Sequence, residues 1–150
     1  MGEIGEIGAA WLDGYIDAWL GHVVAGGPDG APALALLNEF MAEDVVYDDV
    51  PSSARFVGHQ GVADMAAQAY ELAHDLTFEI ASRQTDGRSF AFETRGAGTN
   101  TGPLGPMPAT GKPFTLRGVS IGTVTPAGLV DTHRDYWDMA ALLGQLGMLG

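Results

Sequence analysis

The sequence predicts an α+β domain in which early helices pack against one curved, mostly antiparallel sheet that encloses a pocket. Three observations favour this class. Apolar residues recur at helical spacing through most of the chain up to Asp75, and beyond that residue the hydrophobic period changes to two. The later strands also contain glycines that can bend a sheet around a cavity. Helices segregated from an antiparallel sheet define the α+β class, and 150 residues are expected to form one domain, residues 1–150.

Three helices are predicted up to Asp75 and a short one near the C-terminus. The first has the clearest pattern, because Trp11, Tyr15 and Trp19 recur at four-residue steps and form a broad apolar stripe. The Gly- and Pro-rich residues 26–32 predict a turn after it. The predicted helices span residues 4–25, 32–42, 58–75 and 139–146, the last of them capped by Asp138 and ended by Gly147.

Five strands are predicted from alternating apolar residues bounded by turn residues. They span residues 45–50, 76–83, 89–97, 114–125 and 129–137, and residues 51–58 are expected to form a loop. Residues 100–113 contain four prolines and three glycines, which excludes regular structure. A loop of this length is either functional, as a lid or binding rim, or a solvent-exposed hairpin connection, and both interpretations remain open.

The charge and residue content of the chain exclude several classes of function. Acidic residues outnumber basic ones 19 to 7, for a formal net charge of −12, so binding to nucleic acid or to an anionic membrane is not expected. There is no cysteine, which excludes disulfides, thiol nucleophiles and cysteine-ligated metals. The N-terminus lacks the basic region of a secretory signal, and no apolar run reaches the ~20 residues that span a bilayer. A cytoplasmic location is therefore expected, and the glycine and alanine content is typical of a GC-rich bacterial genome.

No metal and no cofactor are predicted. His59 and His74 lack the spacing of a metal-binding motif. A Walker loop and a GxGxxG turn before a helix are absent from the sequence, and no hydrolase nucleophile elbow is predicted. The chemistry that remains available is acid–base catalysis by side chains.

The segment LVDTHRDYWD, residues 129–138, carries the strongest indication of a site. Side chains alternate along a strand, so Asp131, His133, Asp135 and Trp137 are expected to share one face. A carboxylate between an imidazole and an indole is typical of a polar group on the wall of an apolar pocket, although an edge strand with solvated charges gives the same pattern. Desolvation in such a pocket raises the pKa of a carboxylate and a nearby cation lowers it, which suits Asp135 to proton transfer.

Two further pairs complete the candidate site, Tyr47 with Asp49 in the early strand and Arg95 with Glu93. His133 is either a second proton carrier or a histidine of the pocket wall whose ring nitrogens are simply hydrogen-bonded. The aromatic residues of the first helix are interpreted chiefly as core, and some of them as pocket lining. The candidate catalytic residues are Asp135, Arg95, Tyr47, Asp49 and His133. The candidate substrate-binding residues are Trp137, Glu93, Trp19, Tyr15 and Met65.

Two segments resemble a known family. FMAEDVVYDDVP, residues 40–51, and residues 92–147, with RDYWD as their most specific part, are similar to the SnoaL-like polyketide cyclases and the related limonene epoxide hydrolases. Both groups lie within the nuclear transport factor two superfamily, so the resemblance implies a cone-shaped α+β fold. It also implies a ring closure by intramolecular aldol condensation, without cofactor or metal. Asp135 would be the general acid/base, and Arg95 its positioning cation.

The epoxide hydrolases of this group are understood to use two aspartates bridged by an arginine, with a tyrosine and an asparagine that hold the attacking water. By motif, Asp135, Arg95 and Tyr47 match three of these residues. Asp49 stands where the asparagine is usual, and Ala97 stands where the second aspartate is expected. Hydrolase chemistry would then require Asp49 or Glu93 to replace that acid.

We therefore expect a cofactor-independent cyclase of polyketide-type natural product biosynthesis, such as antibiotic biosynthesis, with an aldol, epoxide-opening or pericyclic ring closure. The alternatives are an epoxide hydrolase and a non-catalytic domain that binds a small apolar ligand. The expected partners are a hydrophobic small-molecule substrate and a second copy of the chain. The expected homodimer pairs through one face of the predicted strand 114–125, formed by Thr115, Arg117, Val119, Ile121 and Thr123.

Overall fold

One six-stranded sheet and three α-helices packed against it form the fold in this computed structural model, which describes residues 3–24 and 35–149. The predicted α+β class, with a mostly antiparallel curved sheet, early helices and a short C-terminal helix, is confirmed. The elements in chain order are α1 (Ala9–Val24), a π-helical turn (Leu36–Phe40), β1 (Met41–Asp49), β2 (Ala54–Val57), α2 (Gly58–Leu72), β3 (Thr77–Asp86), β4 (Ser89–Thr99), β5 (Pro113–Val124), β6 (Val130–Trp137) and α3 (Met139–Gln145).

The strand order brings the first and the last strand together in the sheet. The order is β2-β1-β6-β5-β4-β3, in which β1 and β6 run parallel and all other neighbours run antiparallel. In the parallel pair Tyr47 lies opposite His133 and Asp49 lies opposite Asp135. The pairing therefore places two candidate segments that are distant in sequence side by side.

The apolar stripe of α1 faces the sheet, as its spacing predicts. Leu12, Ile16, Trp19 and Val23 are buried, and α1 packs on β3, while α2 packs on β1 and β2. Strands β5 and β6 approach each other closely at Gly122 of β5, where an added Cβ atom would lie 2.3 Å from the Thr132 carbonyl oxygen. Within the described residues, no helix is long and apolar enough to cross a membrane.

A β-bulge at Asp131 changes the facing of residues at the start of β6. Thr123 pairs with Thr132 and Val124 with Val130, so Asp131 is the extra residue. Val130 and His133 are both buried as a result. The prediction that Asp131 shares a face with His133 is wrong, because its carboxylate accepts a hydrogen bond of 2.6 Å from the exposed Thr123 hydroxyl.

Several predicted boundaries differ from the structure. Residues 54–57, predicted as loop, form the short strand β2, whose four residues follow a turn around Pro51 and carry little pattern. The first helix begins at Ala9 and not at Ile4, because the Ile4 and Ile7 amides donate to the carbonyl oxygens of Pro126 and Gly87 in distant segments. The predicted turn 26–32 and the start of the helix 32–42 lie outside the described residues, and the end of that helix is a π-helical turn followed by β1.

The C-terminal helix begins at Met139, as predicted, and ends at Gln145, one residue before the predicted end. The Asp138 side chain accepts a hydrogen bond of 2.9 Å from the Ala141 amide, which is the contact of an N-cap. Gly147 follows the helix with a φ of 72°, in the left-handed region that glycine adopts readily.

Candidate active site

A cavity of about 510 Å³ lies between the sheet and the helices. Its wall is mainly apolar, and it includes Trp19 of α1, Met65 of α2 and Trp137 of β6, three of the residues predicted to bind substrate. Leu104, in the Gly- and Pro-rich loop after β4, is also part of the wall. The polar groups that interrupt this apolar lining are therefore the candidates for chemistry.

Asp135 of β6 is the polar residue with the most hydrogen-bond partners in this wall. Its Oδ1 atom lies 2.5 Å from the Ser120 hydroxyl and 2.8 Å from Nε2 of His133. Its Oδ2 atom accepts a hydrogen bond from the Tyr47 hydroxyl. The donors come from β5, β6 and β1, so three strands fix the position of one carboxylate that is still 20% exposed to the cavity.

The surroundings of Asp135 favour its ionised form. Burial raises the pKa of Asp135. The charge of His133 and the three hydrogen bonds lower it, and together they outweigh burial, so the pKa lies below its usual range. An ionised carboxylate only accepts hydrogen bonds, so Nε2 of His133 carries a proton in this state. Asp135 is therefore ionised at neutral pH, which is the form of a carboxyl group that can accept a proton.

A second layer of buried aromatic side chains holds the partners of Asp135. The Trp19 indole donates to the Tyr47 hydroxyl at 2.9 Å, and the Tyr15 hydroxyl lies 2.7 Å from Nδ1 of His133. The Tyr47 and His133 rings stack with centroids 4.3 Å apart. Burial raises the pKa of Tyr47 and of Tyr15, and the charge of Asp135 raises both further, so the two phenols stay neutral.

Asp49 of β1 is a second partly buried carboxylate of the cavity wall. Its Oδ1 atom accepts a hydrogen bond of 2.6 Å from the Trp137 indole, and its Oδ2 atom accepts one of 2.7 Å from the Ser52 hydroxyl. Burial raises the pKa of Asp49, the two hydrogen bonds lower it and Asp135 raises it again, leaving it above its usual range. The pKa values of the two facing carboxyl groups are thus shifted in opposite directions.

A family model for SnoaL-like polyketide cyclases matches residues 12–146. The chain belongs to this family. A search of curated protein sequences gave no match. The predicted membership in the SnoaL-like family is therefore confirmed.

Several solved structures share the fold of this SnoaL-like chain. TsrD from Streptomyces laurentii has a TM-score of 0.81 and 21% identity over 96% of this chain and 100% of TsrD. IdmH from Streptomyces antibioticus, a proposed polyketide cyclase, has a TM-score of 0.71 and 19% identity over 91% of this chain and 98% of IdmH. An NTF2-like protein from Anabaena variabilis has a TM-score of 0.67 and 14% identity over 88% and 90% of the two chains. At these identities the similarity shows a shared fold.

Two predicted site residues of this SnoaL-like protein lie away from the cavity. Arg95 and Glu93 are exposed on the outer face of β4, whose inner face carries Phe92 and Thr94. Glu93 accepts a hydrogen bond of 2.6 Å from the Ser82 hydroxyl instead of lining the cavity. The predicted contact of Arg95 with Asp135 is wrong, because the partners of Asp135 are His133, Ser120 and Tyr47.

The outward position of these β4 residues also affects the comparison with the epoxide hydrolases. Ala97 is exposed beside Arg95 on the outer face, and the inner positions of β4 are occupied by Thr94 and Gly96. The inner face of β4 therefore has neither an arginine nor a second aspartate. Hydrolase chemistry of that type would need its second acid from another strand.

The remaining candidates divide between the wall and the layer behind it. Three fully buried residues contact the Asp135 carboxylate or its partners: Tyr47, His133 and Tyr15. Tyr15 was predicted to bind substrate, but it contacts His133 behind the cavity wall. The hydroxyls of Ser120 and Ser52 were not predicted. Among the inner positions of β5, only Ser120 carries a hydroxyl, and this alternation is a signal that could have identified it.

His59 and His74 have structural contacts. Nε2 of His59 lies 3.0 Å from the Met41 carbonyl oxygen, and His74 stacks on Tyr70. Across residues 3–24 and 35–149, no group of three His, Cys, Asp or Glu side chains is arranged to hold a metal ion.

Proposed function

We propose that this protein is a cofactor-independent cyclase that closes a ring in a polyketide-type substrate, with Asp135 as its general acid/base. One observation carries the proposal: an ionised carboxylate, held by three donors, faces a largely apolar cavity. Its family membership agrees with this chemistry. The volume of the cavity is within the range of small-molecule sites, which is roughly 300–1,000 Å³.

The reaction begins with proton transfer to Asp135. The carboxylate removes a proton from a carbon next to a substrate carbonyl, and the resulting enolate attacks a second carbonyl of the same molecule. A carbon–carbon bond forms, the electrons of the second carbonyl move to its oxygen, and that oxygen takes up a proton. Asp135 can return its proton to this oxygen, so the reaction is an isomerisation without cofactor.

The enclosing cavity contributes by restricting the substrate. A flexible chain of carbonyl groups has many conformations, and few bring the two reacting carbons together. Holding reactants in one productive geometry can contribute up to about 7–11 kcal/mol. The aromatic rings of Trp19, Phe78 and Trp137 in the wall are suited to hold a planar, partly cyclised substrate.

The test uses synthetic keto-ester probes, defined as aromatic ketones with an ortho side chain that ends in a β-keto ester, built on one, two or three fused rings. We expect at least one probe to be converted to a cyclic product of the same mass, or of that mass less one water. A cyclic alkene epoxide in water enriched in heavy oxygen provides the comparison. A labelled diol would contradict the proposal in favour of a hydrolase, and probe binding without turnover would contradict it in favour of a binding domain.

We also propose that two copies pair through the outer face of the sheet. Val119 and Tyr136 are register partners on β5 and β6, and they are 37% and 42% exposed at the middle of this face. Sedimentation velocity at micromolar concentration is expected to show a dimer, and Val119→Glu is expected to shift it to monomer because a buried charge is costly. A wild-type protein that sediments only as monomer would contradict the pairing.

A further inference from the structure

Asp49 and Asp135 form a facing pair in the cavity wall. They are register partners on the parallel strands β1 and β6, and both side chains line the same cavity. Neighbouring strands are ~4.8 Å apart, so one substrate that contacts Asp135 also lies within reach of Asp49. The geometry therefore offers two carboxyl groups to two neighbouring atoms of one substrate.

The two carboxyl groups differ in their partners. Asp135 contacts an imidazole and two hydroxyls, whereas Asp49 contacts one indole and one hydroxyl. In the described part of the chain, the ion pairs join Asp48 to Arg55, Asp13 to Arg83 and Asp135 to His133, and none includes Asp49. Fewer groups therefore stabilise a negative charge on Asp49 than on Asp135.

Within the described residues, the lining of the cavity that contains Asp49 includes no lysine, arginine or histidine. Asp135 faces it from β6, with Tyr47 and His133 behind that carboxylate, and Glu71 of α2 lines the same cavity. On β2, Arg55 is engaged in the ion pair with Asp48. Burial and the negative charge of Asp135 both raise the pKa of Asp49, which favours its protonated form.

We propose that Asp49 is a second catalytic residue, the proton donor to the carbonyl oxygen, while Asp135 is the base that acts on carbon. This division of roles rests on the ring closure proposed above. Facing carboxyl groups whose pKa values are shifted apart by their surroundings are the usual arrangement for separate acid and base roles.

The proton balance of this step is closed. Asp135 takes the proton from carbon, the new carbon–carbon bond forms, and the oxygen of the attacked carbonyl takes the proton of Asp49. The product leaves Asp135 protonated and Asp49 ionised. A water molecule that enters with product release carries the proton from Asp135 back to Asp49, and nothing is oxidised or reduced.

The decisive measurement is the pH dependence of kcat/KM for cyclisation of a keto-ester probe. In the wild type the rate constant is expected to rise as Asp135 ionises and to fall as Asp49 loses its proton. Asp49→Asn is expected to lower kcat by about 10²-fold and to remove the alkaline fall. Asp44→Asn, an exposed aspartate on the same strand, is the matched control and is expected to keep the wild-type profile.

A second variant separates a catalytic role from a structural one. Ser52 donates to the ionised form of Asp49, so Ser52→Ala is expected to raise the pKa of Asp49 and move the alkaline fall to higher pH, leaving the acid side unchanged. A carboxylate that only holds the Trp137 indole in place would leave the alkaline side where it is. Ser52→Ala also decides the matter if Asp49→Asn does not fold.

The outcomes distinguish this inference from the proposed function. An Asp49→Asn variant with the wild-type profile, together with an inactive Asp135→Asn variant, would overturn the role of Asp49 and leave the cyclase proposal in place. Full activity in both variants would overturn the proton-transfer function as well.

Discussion

Asp135→Asn is expected to lower the rate of probe cyclisation by about 10²–10⁴-fold, because the amide cannot take up a proton from carbon. The side chain keeps its size and its place on β6, so the apolar cavity and probe binding are expected to remain. The measurement compares kcat with the dissociation constant of the same keto-ester probe, since a loss confined to kcat identifies the chemical step.

The matched control is Asp131→Asn, which makes the same chemical change on the same strand. Asp131 occupies the bulge and contacts the exposed Thr123 hydroxyl, outside the cavity. It is expected to keep the wild-type rate. An Asp135→Asn variant that cyclises the probe as fast as the wild type would mean that ring closure depends on the shape of the cavity and not on a proton.

His133→Leu is expected to lower the free energy of unfolding by about 3–5 kcal/mol, the usual result of removing one partner of a buried charge. His133 has no exposed surface, and its two ring nitrogens contact Asp135 and the Tyr15 hydroxyl. Leucine fills the space but leaves both groups without that partner. Urea unfolding followed by tryptophan fluorescence measures the difference.

His133→Gln is the comparison variant, because its amide can still donate to Asp135. It is expected to lose less stability than His133→Leu. If both variants unfold at the wild-type urea concentration, the contact with His133 does not stabilise the carboxylate, and the explanation given for the lowered pKa of Asp135 is wrong.

The effect of His133 on stability also has a defined pH dependence. The pKa of Asp135 is lowered in the folded protein. Its ionisation therefore stabilises the fold when the pH is above the usual pKa of an aspartate. That contribution disappears as the pH falls through the folded pKa. The difference between wild type and His133→Leu is therefore expected to narrow on acidification below about pH 4.

The parts of the site that follow from strand alternation were predictable. On β6 the period of two places His133, Asp135 and Trp137 on one face, as the structure has them. On β4 the same period separates Phe92 and Thr94 from Arg95, and the motif match that assigned Arg95 to the site conflicts with it. Alternation is the stronger constraint, because a slip of one residue moves every side chain to the opposite face.

The parts that depend on distant pairing were not predictable. The register between β1 and β6 places Asp49 opposite Asp135, and no local pattern in either strand specifies it. The bulge at Asp131 and the Ser52 contact with Asp49 also arise from the assembled sheet. The sequence could therefore predict which residues belong to the site. The strand topology was needed to distinguish the residues that line the cavity from those that hold them in place.

The central position of β6 makes the cavity wall depend on a late segment of the described chain. Among the described strands, β6 alone joins the pair β2–β1 to the group β5–β4–β3, and it follows the other five strands in the chain. Contacts between segments so far apart in the chain form slowly. A nascent or truncated chain that ends before residue 130 would hold two separate half-sheets and would lack Asp135, so Asp49 and Asp135 become neighbours only when the sheet is fully assembled.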